Sequence, residues 1–129
     1  WGGRKGNGAL MLILGWLLGT SLEWRGATVT IKMVVPTHQA AEGAHHNLER
    51  ILQASRTGAR MEVLVSEGRP FWDVLSESSA SADLVFLGMA APNDEYATYY
   101  SRLQEQTSNL PSTVFVLAAE ELEFGDVIM

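Results

Sequence analysis

Residues 8–24, GALMLILGWLLGTSLEW, constrain the fold more than any other stretch of the chain. Positions 9–18 are apolar throughout except at Gly15. A membrane span needs about 20 apolar residues, whereas a run of roughly ten to fourteen reads as a helix buried in a core. A helix that is apolar around its circumference must be covered on more than one side. The sequence therefore predicts a helix from about Asn7 to Gly19 with a sheet beneath it. Another element, domain or subunit must lie above it.

Around this helix the chain alternates strand and helix. Residues 27–35, ATVTIKMVV, are rich in β-branched side chains, and Val29, Ile31, Met33 and Val35 form a fully apolar face. The other face is mixed, as expected for a strand covered by helices on both sides. Pro36 ends it, and Thr37 is placed to cap a helix over 39–55. That helix turns Ala41, Ala44, Leu48, Ile51, Leu52 and Ser55 to one face, with Arg56 in its last turn and Gly58 as its stop. Residues 61–65 form the second strand. Gly68 breaks the chain, and Pro70 opens a third helix over 70–79 that buries Phe71, Val74 and Leu75. Residues 83–88, DLVFLG, read as a buried parallel strand. Asn93 is a candidate cap for a fourth helix, whose inner stripe is Tyr96, Tyr99 or Tyr100, Leu103, Thr107 and Leu110. Residues 112–118 form the last core strand, 120–123 an acidic bend and 124–129 a short edge strand.

Alternation of this kind requires crossover connections. The fold class is α/β: a three-layer, doubly wound, mostly parallel sheet, Rossmann-like or universal-stress-protein-like. Residues 1–8, WGGRKGNG, read as a glycine-rich turn from a strand into the first helix, with Asn7 as its N-cap. The strand ahead of that turn is not in the sequence, so the chain reads as one domain cut from a longer protein just after its first strand. The predicted strand order is 61–65, 27–35, the missing strand, 83–88, 112–118.

Charge and composition narrow the partners. The 129 residues carry a net charge of −6, and from Asp83 onward Arg102 is the sole basic residue against eight acids. Such a surface repels nucleic-acid phosphates and does not adhere to an anionic leaflet by charge, so neither nucleic acid nor direct lipid binding is expected. The chain has no cysteine, which removes disulfides and thiol catalysis and fits a cytosolic setting. Arg4 and Lys5 precede an apolar run, but no small-residue cleavage site follows, so no signal peptide is read.

No constellation speaks for catalysis. His38, His45 and His46 lack acidic partners at a metal-ligand spacing, and no HExxH occurs. Ser66-Glu67-Gly68 follows a strand but has no GxSxG frame. A doubly wound sheet would bind a nucleotide at its strand C-terminal ends, where residues 36–38, 67–69 and 88–92 form the loops. The ATP-binding universal stress proteins carry a GxxGxxxxG-[ST] loop there. Here the loop reads GMAAPNDEY, without a second glycine three residues after Gly88. No catalytic, cofactor-binding or metal residue is assigned, and no cofactor is expected.

Three segments in order resemble the distal half of the C-terminal cytosolic domain of cation–chloride cotransporters. The first, residues 1–35, is similar to the family's strand ending in Trp, a glycine pair, a leucine-rich helix and a Trp followed by a basic residue and a strand. Trp1, Gly2, Gly3, Leu17, Leu18, Trp24 and Arg25 carry it. The second, ADLVFLGMAAP, resembles the family's "LVxxxMP" strand. The third, NLPSTVFVLAAEELEFGDVIM, resembles its terminal "LPPxLLVRGxxxxVLTFYS". Ala118-Ala119 stands where the family has Arg-Gly, and the phosphorylated insertion of animal members is absent, as in a compact prokaryotic form.

The resemblance implies a non-catalytic regulatory and dimerisation domain of a secondary transporter, a symporter moving chloride with potassium and/or sodium. It implies a homodimer that contacts the transporter's own membrane domain at the cytoplasmic face of the cell membrane. Ion-binding residues of the family lie in the membrane part, so none is implied here. The rival reading is a stand-alone universal-stress-protein-like binder of a nucleotide or other small molecule.

Overall fold

The structure is a computed structural model that describes residues 1, 5–55 and 58–119. Its elements are α1 (Lys5–Gly19), β1 (Thr30–Val35), α2 (His38–Ser55), β2 (Arg60–Val65), α3 (Phe71–Ser79), β3 (Val85–Gly88), α4 (Tyr96–Gln106) and β4 (Thr113–Val116). The helix–strand alternation is the α/β order that the hydrophobic pattern predicts. Arg56, the acidic bend and the edge strand over 124–129 lie outside the described residues.

Among the described residues all strand pairing is parallel. β1 pairs with β2 from Thr30 opposite Arg60 to Val35 opposite Val65. β3 pairs with β4 from Val85 opposite Thr113 to Gly88 opposite Val116. These are two separate two-stranded sheets and not one continuous sheet. The seam between them is lined by Thr30 to Met33 of β1 and by Leu84 to Phe86. Trp1 itself lies on the β3 side of the seam: its amino group donates to the Phe86 carbonyl at 3.0 Å, and its carbonyl accepts from the Gly88 N–H at 2.9 Å.

The core is best formed around the β3–β4 pair. Leu75 of α3, Leu87 and Met89 at β3, and Leu103 of α4 are buried together, with Trp72, Tyr96, Tyr99, Tyr100, Leu110 and Phe115 packed around them. Tyr96, Tyr99, Tyr100, Leu103, Thr107 and Leu110 thus form the inner stripe that the spacing predicts. On the opposite face α1 meets β3 and β4 while α2 meets β1 and β2. Ala44 and Leu48 of α2 are buried. Ile51, on the same predicted stripe, is 45% exposed because it borders the seam.

Several boundaries differ from the sequence expectation, each for a local reason. β1 starts at Thr30 and not at residue 27, since the pairing with β2 starts there. Only Val35 of β1 is buried, so the expected cover on both faces is incomplete beside the seam. β3 and β4 span four residues each, shorter than 83–88 and 112–118. Thr37 does cap α2, its Oγ1 accepting from the Ala40 N–H at 3.2 Å. Pro70 is the N-cap of α3, one position before the helix proper. Asn93 does not cap α4: its Oδ1 accepts from the Glu95 N–H at 2.9 Å, a turn that ends at the true cap, Glu95. Gly58 and Gly68 have φ of 72° and 84°, a left-handed conformation that a side chain disfavours, which is why the chain turns there.

Leu75 is fully buried in the best-packed cluster, whereas Leu22 is 81% exposed. Leu75→Ala is therefore expected to cost about 2–5 kcal/mol through lost transfer energy and a residual cavity. Leu22→Ala is expected to change stability by no more than about 0.5 kcal/mol. Urea unfolding of the two variants followed by tryptophan fluorescence checks the contrast.

Candidate functional site

In an open parallel sheet, ligands are bound outside the strand C-terminal ends. In this chain that crest is formed by the loops after β1, β2 and β3 and by the start of α1. Each loop is held by specific contacts, and these decide what the crest can do.

Asn7 is the central residue of the crest. The sequence places it as the N-cap of α1, but the helix already runs from Lys5, and Asn7 sits in its first turn, 3% exposed. Its Nδ2 donates to the Met89 carbonyl at 2.9 Å, just past β3. Its Oδ1 accepts from the Ala118 N–H at 2.8 Å, just past β4. One amide side chain thus ties α1 to the ends of two neighbouring strands.

The loop over 88–92 is committed in the same way. The Met89 N–H donates to the Val116 carbonyl at 2.9 Å, extending the β3–β4 ladder. The Ala90 N–H donates to the Tyr99 hydroxyl at 3.0 Å. A phosphate cradle needs successive backbone N–H groups turned to the ligand. Here the first two amides after Gly88 point into the protein, and Asn7 takes the Met89 carbonyl. The missing second glycine and the spent amides agree.

At the other side of the crest, the loops after β1 and β2 meet through His38. Its Nε2 lies 2.9 Å from Glu67 Oε1, and both side chains are exposed. Glu67 has a φ of 50°, and Gly68 follows it in the left-handed region. An exposed pair of this kind contributes little stability. His45 and His46 lie exposed along α2, away from that pair. Among the described residues no group of three His, Asp or Glu is placed to hold a metal ion. Ser66 accepts the Arg69 N–H through its carbonyl in a tight turn at 2.9 Å.

The seam is the larger feature. A cavity of about 1630 Å³ separates the two strand pairs. Thr30 to Met33 of β1 form one wall and Leu84 to Phe86 the other. Met11, Leu12 and Gly15 of α1 and Leu48 and Ile51 of α2 close one face, while Ser78 and Ser79 of α3 close the other. A second hollow of about 240 Å³ continues the same seam past Trp1, Lys32, Val34, Leu87 and Gly88. Two polar contacts cross its α3 side. Lys32 Nζ donates to the Ser78 carbonyl at 2.8 Å and also lies 3.4 Å from Glu62 Oε2. Trp1 Nε1 donates to Ser79 Oγ at 2.9 Å. The amino group of Trp1 is held below its usual range, chiefly by burial and then by the nearby Lys32 charge. Nothing in the sequence pattern singled out Lys32 and Ser78 as the contact that joins β1 to the end of α3.

Compared with protein-family models, with curated proteins and with solved structures, the chain matches none.

Two outcomes follow from the crest. Asn7→Leu strands the buried Met89 carbonyl, at a cost of about 1–3 kcal/mol, and also leaves the half-buried Ala118 N–H without its acceptor. Chemical denaturation should show a loss in that range or larger, whereas a variant as stable as the parent would mean that water replaces the amide. Titration calorimetry with ATP and magnesium is expected to show no binding in the micromolar range, a Kd of 1 μM corresponding to about −8.2 kcal/mol.

Proposed function

We propose that this chain is a non-catalytic cytosolic regulatory and dimerisation domain of a cation–chloride cotransporter. The observation that carries the reading is the outer side of α1. Trp16 and Leu17 are 47% and 50% exposed, and Leu10 and Leu14 on the same helix are half-buried. No charged residue occurs in α1 after Lys5. Soluble monomers rarely leave contiguous apolar surface of several hundred Å² open, and such patches mark contact sites. A second copy of the domain, or the transporter's membrane part, is the cover that the family resemblance implies.

The rest of the described surface supports an interaction module. The crest loops are tied down by Asn7, Tyr99 and the β3–β4 ladder, which leaves them poorly suited to a phosphate. Among the described residues no helix is long and apolar enough to cross a membrane, so the transport path belongs to another part of such a protein. The chloride, potassium and sodium assignment rests on the segments carrying Trp1, Trp24 and Arg25, the ADLVFLGMAAP strand and the terminal NLPSTVFVLAAEELEFGDVIM.

Sedimentation velocity tests the contact. The parent chain is expected to form dimers as its concentration rises, and Trp16→Glu is expected to keep it monomeric without unfolding it. A parent that stays monomeric at high concentration overturns the interface reading. The transporter assignment is checked on the coding sequence upstream of Trp1: about twelve hydrophobic spans support it, and their absence leaves a stand-alone binder.

A further inference from the structure

We draw no further inference here: the strongest candidate, the cavity of about 1630 Å³ between the β1–β2 and β3–β4 strand pairs, carries nothing because its walls are the facing edges of β1 and β3 and nothing in the structure shows what covers them.

Discussion

The parallel pairing of Trp1 with β3 is the contact on which the arrangement of the other layers depends. It places the start of the chain at the strand ends, and α1 must then begin beside β3 and β4. Asn7 fixes that start by bonding to residues 82 and 111 positions away in sequence. Trp1 in turn reaches Ser79 with its indole and Phe71 with its ring edge, at 6.1 Å between centroids. One residue therefore connects β3, α3 and α1. Lys32 makes the matching connection from β1 to the end of α3. The two half-sheets are held in one frame by contacts that run around the seam and not across it by backbone ladder.

The alternation of elements was legible because each strand is a short run of β-branched or aromatic residues and each helix carries a 3.6-residue stripe. What could not be read was that the strands form two separate parallel pairs. The expected two-sided burial of β1 fails for this reason. Ile31 and Met33 carry the apolar side chains that a covered strand needs, yet they are only half-buried beside an open seam.

Asn7 and Asn93 show a different limit. An asparagine ahead of an apolar or acidic turn carries the local signal of an N-cap. Asn93 uses its side chain locally but two residues too early, in a turn that delivers the chain to Glu95. Asn7 uses its side chain on partners at the far end of the sequence. No local pattern separates these outcomes, because the side-chain chemistry is the same and only the fold supplies the partner. The crest likewise was half legible. The absent glycine after Gly88 is plain in the sequence, whereas the capture of the Met89 and Ala90 amides by Val116 and Tyr99 required the pairing of β3 with β4 and the approach of α4.

The apolar character of α1 can now be divided among its neighbours. Gly8, Met11, Leu12, Gly15, Leu18 and Gly19 line the seam and follow one helical stripe at intervals of three and four. Asn7 turns to the ends of β3 and β4. Trp16 and Leu17 belong to neither set, and they do not line the cavity. The apolar side chains of α1 thus divide into a stripe that packs over the gap between the strand pairs and a pair, Trp16 and Leu17, that stays open to solvent.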